Sequence, residues 1–345
     1  MNLNGSLITA MVLSIASISF WEIYWRSQGK VPDIDDDKNL WAEQRAKLDG
    51  LTKDDVVLTG SSRVLFDIQI YEWEKITGRR PIQLATVGST PLPVFRDIVE
   101  KTNFTGTVIV GVTQGLFFST TNEKAGPFNR PVQRIKHFYN RTYAQRLNHY
   151  LSMPLQKNLV FVATSEEEWA SDIDLKSLLR NINIGNRTGK DPFPPFYQFD
   201  LIDENRNNRM TERTATDTVF AGTVKKVWGF MGKTKREPQK DSTIAYFTRY
   251  AKKFLERGGN VILLRCPVSG LLKEREAENF PRNEFWDELL KVSGVKGYNY
   301  EDFEQFRNMD CPEWSHLSAE DADYFTRELV KIMINDGVLV NTKTQ

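Results

Sequence analysis

Short apolar runs alternate with helical patterns at both ends of this 345-residue chain. In the first half, the runs at 56–58, 82–85 and 107–112 are separated by amphipathic stretches at 66–77 and 93–101. Because apolar residues in these runs follow one another instead of alternating with polar ones, the runs predict strands that are covered on both faces. Such strands, alternating with helices, predict a parallel sheet in an α/β fold.

The alternation stops in the middle of the chain and then resumes. Residues 117–240 contain helical stretches and one weak strand signal at 158–163, which predicts a mainly helical insertion. Further elements follow the insertion: a helix at 244–257, a strand at 260–265, a helix at 284–292, a short strand at 297–300 and a last helix capped by Ser318. We therefore predict a three-layer α/β/α sandwich with a parallel, flavodoxin-like sheet over 31–345, interrupted at about 117–240 by this insertion.

Residues 1–30 are predicted to form a separate N-terminal signal-anchor or transmembrane segment. The stretch 7–20 carries no charge, and counting through Trp25 gives nineteen residues, close to the roughly 20 that cross a bilayer. Trp21, Tyr24 and Trp25 resemble an interfacial aromatic belt, so Glu22 would lie at the membrane boundary. An uncleaved anchor is the favoured interpretation, with a cleaved signal sequence and a buried core helix as the alternatives.

Composition excludes several classes of protein. The 46 basic and 45 acidic residues nearly cancel, so no strong field favours nucleic acid, and we expect no nucleic-acid partner. Cys266 and Cys311 form neither a disulfide framework nor a metal motif, although one bridge between them would suit an oxidising compartment. Since the chain also lacks G-x-G-x-x-G and Walker A sequences after its first strand, we expect neither a cofactor nor a metal, and a nucleotide-binding protein is the weakest alternative.

Three polar turns follow the first three predicted strands. They carry Ser62 within Gly-Ser-Ser, Gly88, and Gln114. Because ligands of open parallel sheets bind at the carboxyl ends of the strands, these turns predict a site at one edge of the sheet. A serine nucleophile there needs a histidine, and His316 stands directly before the last helix, with Glu313 three residues earlier and Asp310 six residues earlier.

These residues resemble the blocks of the SGNH (GDSL-like) hydrolases and acyltransferases, over about 55–115 and 244–335. The resemblance implies that Ser62 is the nucleophile, His316 the base and Glu313 the acid, with Asp310 as an alternative acid. It also implies that the backbone N–H groups of Ser62 and Gly88 form the oxyanion hole, with Gln114 as a third donor.

The chain departs from the family pattern at two positions. Glutamate replaces the usual aspartate of the Asp-x-x-His block, and Thr113-Gln114-Gly115 stands where the family has an asparagine. Glutamate serves in other hydrolase triads, whereas the loss of one oxyanion donor typically costs about 10²–10³ in rate. These departures keep a second hypothesis open, in which the chain is a catalytically weak or inactive protein that binds a glycan or a partner enzyme.

Two arginines lie at the predicted site. Arg63 follows the nucleophile, and Arg265 ends the fourth strand at the same edge of the sheet. Each could bind an anionic substrate, and each could instead form an ion pair inside the domain.

The resemblance implies a serine esterase or O-acyltransferase of the membrane-anchored, cell-envelope type. Its substrate would be an acylated carbohydrate or lipid, with acetyl as one candidate group, and the partners that it implies include an acyltransferase. The implied localisation is a membrane anchor carrying an extracytoplasmic catalytic domain. Arg26 and Lys30 follow the apolar segment, however, and the positive-inside rule would place the domain in the cytoplasm, so the topology stays open.

Overall fold

A computed structural model describes residues 3–162, 194–232 and 237–340 of the chain. These residues fall into two compact units. The first unit contains 3–37 and 142–162, and the second contains 38–141, 194–232 and 237–340.

The second unit is built on a five-stranded sheet. Its strands are β1 (Val56–Thr59), β2 (Ile82–Gln83), β3 (Thr107–Gly111), β6 (Asn260–Arg265) and β7 (Lys296–Asn299). They pair in the order β2-β1-β3-β6-β7, and all four pairings are parallel. The predicted α/β fold with a parallel sheet is therefore confirmed.

The burial of the strands explains why they could be predicted from the sequence. Every residue of β1 and β3 is buried, and Asn260 is the one residue of β6 that is not. A strand covered on both faces needs apolar residues at successive positions, which is the pattern that the sequence shows.

Helices connect and flank the strands of this unit. They are α2 (Lys38–Ala46), α3 (Ser62–Asp67), α4 (Ile70–Thr77), α5 (Leu92–Lys101), α6 (Gln114–Phe117), α7 (Gly126–Asn140), α9 (Glu212–Thr216), α10 (Thr218–Met231), α11 (Lys240–Glu256), α12 (Gly270–Asn279), α13 (Trp286–Ser293) and α14 (Ala319–Asn335). The predicted cap of the last helix is confirmed, because the Ser318 side chain accepts a hydrogen bond from Asp321 N at 3.1 Å.

The predicted insertion is not purely helical. Strands β4 (Asp200–Ile202) and β5 (Asn208–Met210) form an antiparallel hairpin within a charged stretch that carries no strand pattern. Arg206 lies in the turn of the hairpin, has φ at 61° and is fully buried. Its guanidinium donates hydrogen bonds to the carbonyls of Gln83 and Ala85 at 2.9 and 2.8 Å. A charged residue thus anchors this hairpin to β2. Residues 163–193 of the insertion lie outside the described residues.

The first unit contains helices α1 (Leu3–Ser27) and α8 (Tyr143–Asn158), with a 3-10 turn at Val160–Val162. The turn replaces the weak strand signal at 158–163, so that signal was wrong over its described part. Within the described residues, α1 is the one helix long and apolar enough to cross a membrane, and none of its residues is buried. This exposure contradicts the core-helix alternative, and the helix is long and apolar enough to be a membrane anchor or a signal sequence.

Candidate active site

The turn after β1 is shaped by close packing of a valine on two glycines. A Cβ added to Gly60 would lie 2.6 Å from Val64 Cγ2, and one added to Gly111 would lie 2.2 Å from the same atom. Neither position can carry a side chain while α3 stays in place. The glycine of the Gly-Ser-Ser motif therefore lets α3 approach the ends of β1 and β3 closely.

The two serines of the motif have different environments. Ser61 is buried, and its Oγ lies 2.5 Å from Thr113 Oγ1, which joins the turn after β1 to the turn after β3. Ser62 is half-buried and is the first residue of α3. Of the two hydroxyls, the one at Ser62 is the more accessible to a substrate.

Glu313 and His316 form a buried hydrogen-bonded pair before α14. His316 Nδ1 lies 2.9 Å from Glu313 Oε1, and the same oxygen accepts the backbone N–H of His316 at 2.6 Å. The two side chains are 1% and 0% exposed. Asp310, the alternative acid, is exposed. Of the two acids considered for the contact with His316 Nδ1, Glu313 is the one that makes it.

His316 lies directly against the helix that carries Ser62. Its ring stacks on Phe66 with ring centroids 4.1 Å apart, and Leu317 N donates to Asp67 Oδ1 at 3.0 Å. Because Ser62 precedes Phe66 by four residues, both side chains lie on one face of α3. The imidazole is therefore next to the helix face that bears the predicted nucleophile.

The remaining ring nitrogen of His316 is unused. His316 Nε2 is buried and has no hydrogen-bond partner, so it accepts no hydrogen bond from Ser62 Oγ in this conformation. In a Ser-His-acid triad, the nitrogen that faces the serine is the one that the carboxylate does not hold. The predicted serine–histidine hydrogen bond stays a prediction.

Aromatic side chains from the insertion surround this histidine. Phe199 and Trp228 lie 6.0 and 6.1 Å from the imidazole between ring centroids, and Phe196 packs on both of them. The indole N–H of Trp228 also donates a hydrogen bond to Glu313 Oε2. Sequence reasoning missed these residues, although the proline- and aromatic-rich stretch 191–199, which contains Phe196 and Phe199, was a visible signal.

The loop that carries the pair is held in an unusual backbone conformation. Trp314 has φ at 80°, a value that costs a residue other than glycine free energy, and its ring packs on Gly270, where an added Cβ would lie 2.3 Å from the indole. Lys225 lies over the same ring at 5.3 Å. Tertiary packing therefore stabilises this strained turn between Glu313 and His316.

The two other predicted oxyanion donors are Gly88 and Gln114, and the structure shows their surroundings but no donor role for either. Gly88 has φ at 58°, which favours glycine, and its carbonyl accepts a hydrogen bond from Arg130 at 3.3 Å. Gln114 is buried, and its Nε2 donates to Phe280 O at 3.4 Å. An oxyanion role for Gly88 and for Gln114 stays a prediction.

Arg63 and Arg265 share one buried carboxylate. Glu276 accepts from Arg63 Nη2 at 2.7 Å and from Arg265 Nη2 at 3.4 Å. Burial alone would raise the pKa of Glu276, but the two guanidiniums outweigh it and lower that pKa. The structure thus shows the internal ion pairs, and contact of either arginine with a substrate stays a prediction.

Further ionisable groups are buried behind the site. Burial, reinforced by the negative charge of Glu313, raises the pKa of Asp67 well above its ordinary value, although the Leu317 N–H and Arg63 oppose this. Cys266 and Cys311 are buried free thiols, and burial raises the pKa of each. These groups favour their neutral forms.

Over 3–162, 194–232 and 237–340, no cluster of three or more histidine, cysteine or acidic side chains is arranged to hold a metal ion. Compared with known proteins, the chain matches no family model and no curated sequence.

Proposed function

We propose that this chain is a serine-dependent esterase or O-acyltransferase of the SGNH type, acting through Ser62, His316 and Glu313. The observation that carries the proposal is the geometry of His316. Its Nδ1 is held by Glu313 at 2.9 Å, its Nε2 has no partner, and its ring stacks on the helix that begins with Ser62. A held Nδ1 and an uncommitted Nε2 are two requirements of a general base, and hydrogen-bond reach from Nε2 to the serine is the third.

The chemistry follows from these roles. Ser62 Oγ attacks the acyl carbonyl carbon while its proton passes to His316 Nε2. Glu313 stabilises the imidazolium that forms, and the tetrahedral intermediate expels the alcohol, which takes the proton from His316. Water or a second hydroxyl then attacks the acyl-serine with His316 again as the base, which releases the acid or a new ester.

One local movement is part of this mechanism. Because Nε2 has no partner in this conformation, Ser62 Oγ must come within hydrogen-bond distance of it when the substrate binds. Catalytic hydrogen bonds are often long or absent before substrate binding and form in the complex. We propose that a change in the rotamer of Ser62, the half-buried first residue of α3, provides this movement.

The proposed substrate is an acyl ester of an envelope carbohydrate or lipid. Support comes from the apolar helix α1, which has the length of a membrane anchor, and from the family resemblance of the Ser62 and His316 blocks. Anchorage would place the domain at a membrane surface, on the extracytoplasmic side in this proposal. The three-layer α/β/α arrangement is part of the same proposal and is supported by the strand order.

Labelling by a fluorophosphonate probe tests the assignment. The full chain in detergent should form a covalent adduct, and Ser62→Ala and His316→Ala should each abolish it. Ser61→Ala is the matched control, because Ser61 is adjacent in sequence but its hydroxyl is bound to Thr113. Labelling that persists in Ser62→Ala with a folded protein would refute the proposal.

The second candidate is an inactive SGNH-like protein that binds a glycan or a partner enzyme. The buried, unpartnered Nε2 of His316 favours it, because a base without access to its serine cannot act. This candidate predicts no labelling of the native chain by any fluorophosphonate and unchanged glycan binding in Ser62→Ala. The first candidate predicts labelling that depends on Ser62.

A further inference from the structure

Helix α8, in the first unit, carries its apolar residues on the outside. Exposed apolar side chains recur along it at the spacing of one helix face. They form what we call the apolar stripe: Tyr143 (82% exposed), Leu147 (46%), Tyr150 (75%), Leu151 (59%) and Leu155 (51%). No residue of α8 is buried.

The opposite face of α8 is mainly polar, with Met153 as the one half-buried apolar residue of the helix. His149, Ser152 and Gln156 are half-buried and lie three or four residues apart, on the side away from the apolar stripe. Gln156 Oε1 accepts a hydrogen bond from Asp35 N at 2.9 Å, which fixes this face to the chain after α1. A surface helix of a soluble protein has the reverse arrangement, with its apolar face inward. The apolar stripe therefore suits an apolar medium outside the protein.

Hydrogen bonds place the end of α8 at the boundary of the apolar helix α1. Glu22 of α1 accepts the backbone N–H groups of Val160 and Phe161 at 2.9 and 3.3 Å, directly after α8. Arg26 donates to Asn158 O at 2.9 Å, at the last residue of α8. These contacts lie beside the aromatic cluster of α1, where a membrane-spanning segment meets water.

The charges of α8 suit a membrane surface with anionic lipids. The helix contains no aspartate or glutamate, and its exposed basic residues include Arg146 and Lys157. They lie four residues before and seven residues after Tyr150, so both are along one edge of the apolar stripe. Basic residues beside an apolar face are typical of helices that lie in a lipid headgroup region.

We infer that α8 is an interfacial membrane helix that lies in the plane of the bilayer surface, with the apolar stripe in the lipid. Lipid at the boundary between headgroups and acyl chains covers the apolar stripe. Such a helix inserts about 5–10 Å into this region. The chain would then have two membrane contacts, α1 and α8, joined at Glu22. This inference does not depend on the proposed enzymatic function.

A depth-sensitive label tests the inference in the full chain. Leu151→Cys is labelled with a nitrobenzoxadiazole fluorophore, and the protein is reconstituted into vesicles of neutral and anionic phospholipid. Cys266 and Cys311 are buried, and labelling of the unmodified chain measures their background. Vesicles with nitroxide groups on the upper acyl chain should remove most of the emission from position 151.

The matched control is Leu255→Cys, an exposed leucine on α11 whose neighbours Lys252, Lys253 and Glu256 are charged and exposed. A label there should keep its emission and respond to a water-soluble quencher. Emission from position 151 that is unaffected by nitroxide lipids and quenched from water would overturn the inference. Cross-linking between two copies through Leu151→Cys at high dilution in lipid would also overturn it, because a second copy would then cover the stripe.

A second variant keeps the test independent of one label. Leu147→Glu with Leu151→Glu puts two carboxylates on the apolar stripe without altering a buried residue. A fluorophore at Leu155→Cys should lose its quenching by nitroxide lipids in this background, while the protein stays in the vesicles through α1. Unchanged quenching at position 155 would contradict an interfacial helix.

Discussion

The indole N–H of Trp228 donates a hydrogen bond to Oε2 of Glu313, the carboxylate whose other oxygen lies 2.9 Å from His316 Nδ1. Trp228 belongs to α10, within the insertion, whereas Glu313 and His316 lie in the turn before α14. The insertion therefore contributes to the polar contacts of the candidate site. We expect it to set how firmly the acid holds the imidazole.

Replacing Trp228 by phenylalanine should weaken the base without removing it. A hydrogen bond to a charged group is worth about 1.5–3 kcal/mol, so we expect the rate of fluorophosphonate labelling to fall by about 10- to 150-fold, with a shifted pH profile. Trp41→Phe is the control, because Trp41 also donates its indole N–H, but to the Leu84 carbonyl at 3.1 Å. A pH profile of labelling that shifts equally in both variants would contradict a specific role for Trp228.

Replacing Glu313 by glutamine should nearly abolish labelling. The amide retains the size of the carboxylate but cannot stabilise the imidazolium, and the corresponding change in a serine triad costs about 10⁴ in rate. Asp310→Asn is the control, since Asp310 is exposed and was the alternative acid. Equal losses of labelling rate in the two variants, with both proteins folded, would show that Glu313 has no special role.

The sheet could be predicted because strands that are buried on both faces need consecutive apolar residues. The runs at 107–112 and 260–265 are apolar throughout most of their length, and they became β3 and β6. The cap at Ser318 was equally local, since it needs one hydroxyl and the next turn of helix. Features that depend on neighbours within a few residues were therefore predictable.

The hairpin and the aromatic surroundings of His316 could not be predicted in the same way. Arg206 is buried because two carbonyls at the end of β2, more than a hundred residues earlier, accept its N–H groups. Phe199 and Trp228 meet His316 only after the insertion folds back on the sheet domain. Such contacts depend on tertiary packing, which overrides the local pattern of charge.

Replacing Glu276 by glutamine should destabilise the fold. Its carboxylate is 10% exposed and lies between two guanidiniums that are 4–5% exposed. Removing one partner of a buried ion pair leaves uncompensated charge, which typically costs about 3–5 kcal/mol. We expect a loss of this size in the free energy of unfolding, measured by denaturant titration of the full chain in detergent.

The matched control for this loss is Asp302→Asn. Asp302 pairs with Arg282 at 2.5 Å, but both side chains are more than 40% exposed. Exposed pairs contribute about 0–1 kcal/mol. If Glu276→Gln costs no more than Asp302→Asn, the buried cluster does not stabilise the domain as we describe.

Replacing Asp67 by asparagine should stabilise the protein increasingly as the pH rises. Burial, and then the negative charge of Glu313, raises the pKa of Asp67 in the folded state, whereas the unfolded carboxyl has a pKa of about 3.9. Below that pH both states are protonated, and the carboxyl has no effect on the pH dependence of stability. Above it the folded state retains a proton that the unfolded state loses, so the stability of the native protein falls as the pH rises towards the folded pKa.

Asparagine removes this titration and retains an oxygen for the Leu317 N–H, which donates to Asp67 Oδ1 at 3.0 Å. The difference in free energy of unfolding between Asp67→Asn and the native chain should therefore grow from about pH 4 upward. Asp55→Asn should show the opposite sign: burial raises the pKa of Asp55, but hydrogen bonds from Thr52 and Arg79 outweigh it and lower that pKa. The stability that Asp55 contributes is present above its unfolded pKa and disappears in acid. Parallel pH profiles for the two variants would mean that Asp67 is ionised in the folded state, because only an ionised carboxyl would lose stability in acid as Asp55 does.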